Sequence, residues 1–322
     1  MSEQTRKLYH SSLLLLSLVL LLGLGLYIQK NSSVFVYLKS LRPDYILLLL
    51  GMHALDFYLV GIIQKLPLSK HNISLKFKEW YGLCVTAELF NMLLPAKGGT
   101  GIRMLYLKDN KGLAIREFLS MSFAVVMIGF TFLGSVGLLY CHFFLKKNQA
   151  MSVLLESVFL ALAVSGIALL FFTETAGKLF KFKRRYSPKL YLKDLKLTSL
   201  TTLAWIGVFL LYPIKVYLAF TAIGIEINFI DSFEISMILL IISLFQVLPG
   251  NMGVKEIVTA YIGKQYGIEF EAALLASLID RVIMLLFLFP MGFYFYWQLF
   301  LEASLPKAFR VIKLKQSAQT SP

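Results

Sequence analysis

Leu94-Pro95-Ala96-Lys97-Gly98-Gly99, with Arg103 close behind, and Leu248-Pro249-Gly250-Asn251-Met252-Gly253, followed at once by Val254-Lys255-Glu256, are the stretches on which the reading of this chain turns. Each ends an apolar run with Leu-Pro, passes through small flexible residues, and starts a new stretch with a basic residue. Proline has no N–H donor and keeps the residue before it out of the helical region, while glycine permits sharp turns. The two prolines lie 154 positions apart in a chain of 322 residues, so the break recurs at matching places in two halves. A Pro/Gly-interrupted apolar segment in corresponding positions of two halves points to a transporter-type binding site.

Composition fixes the solvent. Hydrophobic residues make up 58% of the chain, charged residues 16%, and mean hydropathy is +0.73. Soluble domains carry about 25% charged residues. Apolar runs of roughly 18 residues, enough to cross about 30 Å of hydrocarbon, recur along the chain. A β-barrel would alternate over segments of about ten residues instead, so the expected class is an all-α polytopic integral membrane protein. The net charge of +14 lies mainly between the apolar runs. No segment outside the membrane is long enough to build the basic face that nucleic acid requires; anionic headgroups and the positive-inside rule account for the excess. Cys84 and Cys141 sit in apolar stretches, and His10, His53, His71 and His142 form no metal-ligand spacing, so neither a metal nor a cofactor is expected.

Six segments read as full crossings: Leu13–Ile28, Asp44–Ile63, Phe118–Leu145, Met151–Phe172, Leu197–Ala222 and Glu271–Leu301. The first follows Arg6 and Lys7 but is long for a signal peptide and has no A-x-A-like exit, so a retained helix is expected. Two further segments, Trp80–Leu94 and Phe233–Leu248, are short for a crossing, run into the breaks, and resume as Gly101–Leu107 and Val254–Tyr266. A half-helix, a turn at depth and a second half-helix make a re-entrant hairpin, tolerable where protein or water faces it. With both hairpins re-entrant, 23 lysines and arginines gather on one side of the membrane and seven on the other. That asymmetry places both termini in the cytoplasm. The expected organisation is a cytoplasmic N-terminus (1–10), a first membrane repeat (11–145) with a hairpin at about 80–110, a second (151–301) with a hairpin at about 233–267, and a basic cytoplasmic tail (302–322). Three crossings per half is an odd number, so the repeats are expected to be inverted and the hairpins to enter from opposite faces.

Pro95, Gly98, Gly99, Pro249, Gly250 and Gly253 form the expected turns. Lys97, Arg103 and Lys255 stand near helix starts, where free N–H groups and a partial positive charge suit phosphate. Ionisable groups inside apolar runs are the second signal, since each costs roughly 2.5–3.5 kcal/mol at a helix centre. Glu88 and Asn91 lie three apart before the first break, and Asp280-Arg281 lies in the last helix. Asp280 or Glu256 could neutralise Arg281. Glu88 could carry a proton in transport or could pair with Lys97 or Arg103 across the hairpin. His53 and Asp56, three apart on one helical face, and Lys215, after a proline, read more simply as structural pairs or a snorkelling lysine.

Leu94-Pro95-Ala96-Lys97, Gly99 and Arg103, together with Leu248-Pro249-Gly250, Gly253-Val254 and Lys255-Glu256, resemble the two Leu-Pro segments of the lysylphosphatidylglycerol synthase transmembrane-region family. The likeness in pattern and spacing covers nearly the whole chain. That family includes the flippase half of multiple peptide resistance factor, and its relatives are linked to anionic phospholipids and, in archaea, to polyprenyl-linked sugar assembly. Lysine replaces the family's usual arginine at 97 and 255, Thr100 stands where an acidic residue is common, and Asn251 replaces a glycine. Lysine keeps the charge but loses the bidentate fork, so headgroup preference is expected to differ.

The resemblance implies a flippase-like lipid translocase in a bacterial or archaeal inner membrane. Its partner would be an anionic phospholipid or polyprenyl-phosphate lipid, with Arg103, Lys97, Lys255 and Arg281 on the phosphate. Glu88, Asn91, Glu256 and Asp280 would pair with or release those cations. The rival readings are a transferase acting on a lipid carrier and a scaffold for a separate lipid-modifying enzyme. Acid–base carboxylates at an aqueous boundary would mark the transferase, and no compelling set stands out. About twenty residues follow Leu301, so aminoacylation by this chain alone is not expected. Inverted repeats make a topological prediction: Lys97→Cys and Lys255→Cys should react with an impermeant maleimide from opposite faces of the membrane. Labelling of both from one face would contradict the inverted arrangement.

Overall fold

The computed structural model describes residues 37, 39–95, 97–144, 153, 155–168, 188–244 and 248–302, and among them the regular structure is helical, with no strand. Four stretches are long and apolar enough to cross a bilayer: Pro43–His71, Ile115–Phe143, Leu195–Ala222 and Phe270–Leu301. The chain is thus an all-α integral membrane protein, and these four match four of the six expected crossings. Leu13–Ile28 and the tail from residue 303 lie outside the described residues. Of Met151–Phe172, residue 153 and a helix over Leu155–Ala168 are described.

Local chemistry explains where the helices begin and end. Helix α1 (Pro43–Lys65) has proline at its start, Asp44 in its first turn and Lys65 in its last, each suited to the helix end it occupies. A 3₁₀ turn (Leu66–His71) follows, and left-handed Asn72 closes it, its N–H reaching the carbonyls of Leu68 and Ser69. Helix α2 (Phe77–Leu93) begins where Lys76 N–H meets Glu79 Oε2 at 2.9 Å. Its seventeen residues span about 25 Å at 1.5 Å per residue. Most of them are buried, Trp80 through Ala87 without interruption, so α2 is a central helix enclosed by protein. Helices α3 (Gly98–Lys111), α4 (Ile115–Phe144) and α5 (Leu155–Ala168) follow. Asp194 caps α6 (Leu195–Ala222) by accepting the Leu197 N–H at 3.0 Å. The chain then forms α7 (Phe229–Leu244), a turn at Pro249–Asn251, α8 (Val254–Gln265) and α9 (Phe270–Tyr296), which ends in a π-helical turn, Trp297–Glu302.

The order long helix, broken pair, long helix therefore occurs twice: α1, α2–α3, α4 and then α6, α7–α8, α9. α1 lies along α6, and α9 packs against both α2 and α8. α2 and α9 run antiparallel: Gly82 abuts Phe295, and Gly292 abuts Leu89 while its carbonyl accepts from Thr86 Oγ1 at 3.4 Å. Lipid tails are as apolar as leucine, so close backbone approach at small residues supplies much of the helix association.

The tightest approach lies inside the first broken pair. A Cβ at Gly99 would stand 1.8 Å from the Ala87 carbonyl oxygen, so α3 begins directly on the backbone of α2. Gly101, two residues on, has nothing within 4 Å of its Cβ position. Gly99→Val should cost about 3 kcal/mol or more through overpacking. Gly101→Ala should instead stabilise by roughly 0.5–1 kcal/mol, the helix-interior glycine penalty. Thermal unfolding of the purified variants in one detergent checks both signs.

Candidate functional site: a charged cavity where two chain breaks meet

The first break is short. Leu94 is extended, Pro95 is buried, and Lys97 takes the left-handed conformation (φ 55°) before α3 starts at Gly98. No side chain of Lys97 caps the new helix. Asn91 does that work from α2: its Oδ1 accepts the Thr100 N–H at 3.3 Å, and its Nδ2 donates to Glu88 Oε2 at 3.0 Å. A carboxylate is thereby linked through one amide to the positive end of α3.

The second break is more deeply set. Gly250 (φ 56°), Asn251 (φ 49°) and Gly253 (φ 82°) all adopt left-handed backbone conformations, which glycine and asparagine tolerate best. Asn251 reaches back to the Ile242 carbonyl at 2.9 Å, and Glu256 Oε2 accepts the Gly253 N–H at 2.8 Å, capping α8. Arg281 of α9 then closes over the turn. Its Nε donates to Glu256 Oε1, Nη1 to the Gly250 carbonyl at 3.0 Å, and Nη2 to the Asn251 carbonyl at 3.5 Å. Arg281 and Glu256 are both buried, at 8% and 1% exposure. Of the two expected neutralisers of Arg281, the structure selects Glu256.

The two breaks touch. A Cβ on Gly250 would fall 2.1 Å from Met92 Sδ, two residues before Leu94-Pro95, and Arg281 Nη1 lies 4.0 Å from the same sulfur. Around this junction is a cavity of about 110 Å³, room for several water molecules. Charged groups reach it from five helices: Asp56 with His53 (α1), Glu88 (α2), Lys215 (α6), Lys255 and Glu256 (α8), and Asp280 with Arg281 (α9). His53 Nε2 meets Asp280 Oδ1 at 2.9 Å, and Lys215 Nζ pairs with Asp56 while lying 4.2 Å from the centre of the Tyr212 ring. The Lys255 carbonyl accepts from Thr259 Oγ1 at 2.8 Å, while its side chain makes no hydrogen bond or ion pair among the described residues, though its charge acts on Asp280. With His53 neutral the lining holds four carboxylates against three cations.

The expected site residues thus divide. Glu88, Lys255, Glu256, Asp280 and Arg281 line one cavity, with Asn91 behind Glu88. Lys97 is exposed at its hairpin tip, and neither it nor Arg103 lines the cavity. Arg103 is buried, its guanidinium carbon 5.1 Å from the centre of the Phe118 ring and its Nε without an acceptor. Burial pushes this guanidinium down to about 10 and leaves it charged at neutral pH. His53, Asp56 and Lys215, read from sequence as structural, do form pairs, and those pairs are walls of the same cavity. Tyr212 and Ser277 also line it, and nothing in their sequence context marks them.

Removing one member of a buried ion pair leaves an uncompensated charge and costs about 3–5 kcal/mol. Arg281→Ala should therefore destabilise strongly, and Glu256→Gln in the same chain should restore part of the loss. Melting of the two variants beside Glu256→Gln alone checks the coupling.

The family model for the lysylphosphatidylglycerol synthase TM region matches residues 13–292. Among curated proteins nothing matches the chain.

Proposed function

This chain belongs to the lysylphosphatidylglycerol synthase TM-region family, which associates it with membrane lipid, and on that premise we propose that it is a flippase-like lipid translocase. Its cavity receives the phosphate of an anionic phospholipid or a polyprenyl-phosphate lipid. The observation that carries this reading is Lys255: a cation on the cavity wall at the start of α8, whose ammonium has no direct ion pair among the described residues while Lys215 and Arg281 beside it are paired. A point-charge ammonium beside a helix start suits a phosphate oxygen.

Arg281 has its donors occupied by Glu256 and two carbonyls, so in this reading it shapes the second turn and sets the height of Lys255. Glu88 and Asp280 are the carboxylates that a bound phosphate would have to pass. Arg103, buried and still charged, is a second anion contact on the first hairpin, with Lys97 at the exposed tip. The recurring order of helices supports two repeats, and on this reading the two broken pairs are re-entrant hairpins meeting at the lipid site.

In proteoliposomes, the wild-type chain should move fluorescent phosphatidylglycerol or a polyprenyl phosphate between leaflets. Lys255→Ala should slow that movement at least about tenfold, the scale of one lost charge-assisted contact, while leaving thermal stability near wild type. Arg103→Ala should slow it as well. Equal rates for protein-free, wild-type and variant vesicles with every lipid would end the translocase reading.

A further inference from the structure

The cavity's charges are arranged in pairs, and the pairs do not close. Arg281 with Glu256 sums to zero, as does Lys215 with Asp56. Glu88, which accepts a hydrogen bond from Asn91 Nδ2, and Asp280 are then two carboxylates with one further lining cation, Lys255, whose charge acts on Asp280. The lining is thus one cation short, and the remaining ionisable partner is His53, which faces Asp280 at 2.9 Å. That pair is neutral when the imidazole carries two protons and negative when it carries one. The balance of the whole cavity thus rests on whether this imidazole carries one proton or two.

An anionic phosphate docking on Lys255 engages the one cation that the remaining carboxylates share and brings a further negative charge into a small enclosed space. Like charges brought together in poorly solvating surroundings are costly, and a proton is the cheapest remedy. Resting on the lipid-phosphate reading above, we infer that the cavity takes up its anionic headgroup together with one proton, and that His53 of the His53–Asp280 pair accepts it. With Nε2 turned to Asp280, the added proton goes to the other ring nitrogen. The groups sharing the cavity with His53 are Asp56 on its own helix, Glu88 on α2, Lys215 with Tyr212 on α6, Lys255 and Glu256 on α8, and Asp280 and Arg281 on α9; α7 contributes only Leu239. Linkage is reciprocal: if the anion favours the protonated histidine, protonation must tighten the anion by the same factor.

The test is binding to the full chain in detergent, by calorimetry from pH 6 to 9, with short-chain phosphatidylglycerol in one arm and a short polyprenyl phosphate in the other. Buffers of different ionisation heat count the protons taken up. Wild type should take up close to one proton per lipid toward the upper end of this range, and affinity should fall by up to about tenfold per pH unit there. His53→Gln should bind weakly with little pH dependence. Asp280→Asn should bind at least as tightly as wild type, also with a flattened profile. Opposite signs for the two variants separate a charge effect from simple loss of their hydrogen bond, which would weaken both alike. Whichever arm shows the linked proton identifies the lipid source. A wild-type affinity constant within twofold across the range, or an unaltered slope in His53→Gln, overturns the inference and leaves the lipid-phosphate reading in place. Binding of neither lipid at pH 6 overturns that reading, and the inference with it.

Discussion

A guanidinium inside an apolar bundle has to be answered by fixed acceptors, and Arg281 is the clearest case in this protein. Glu256 and the carbonyls of Gly250 and Asn251 give it a carboxylate and two backbone oxygens. The same contacts solve a second problem. A chain that leaves the helix inside a packed protein has carbonyls that no helical N–H satisfies. One side chain thus neutralises a carboxylate, fills two orphan acceptors and ties α9 to the second break. Through Met92 it also lies against the end of α2. Arg281 and Glu256 of this clamp also form part of the cavity wall.

The two broken pairs handle the same difficulty with different residues. In the first, Asn91 reaches across to Thr100 and the close approach of Gly99 to Ala87 sets the angle. In the second, three left-handed residues are held from outside by an arginine on another helix. The first pair is largely self-contained, while the second is maintained by tertiary structure.

Much of this was legible in the chain itself. Hydropathy alone located the four described crossings, because insertion into lipid is close to a sum over residues. The two breaks were legible because proline and glycine act locally. Pairing was not. Asp280 and Arg281 are neighbours in sequence, and successive helical residues diverge by about 100°, so one turns to α1 and the other to the second break. Sequence left Glu256 and Asp280 as equal candidates for Arg281, and only the packing of α8 against α9 separates them. Lys215 and Asp56, 159 positions apart, meet because α1 lies along α6, a contact with no local signature. For Glu88 the sequence leaves open a proton carrier or a partner of Lys97 or Arg103; in the structure its carboxylate accepts from Asn91 Nδ2, one helical turn ahead.

The modest size of the cavity has its own consequence. A space suited to several water molecules can admit a polar headgroup but not two acyl chains, which on the proposed reading must stay among the surrounding lipids as the head passes. Selection then falls on the head alone. Tail length, branching and unsaturation would be almost invisible to such a protein, so one chain could serve a membrane whose fatty acids change with temperature or diet.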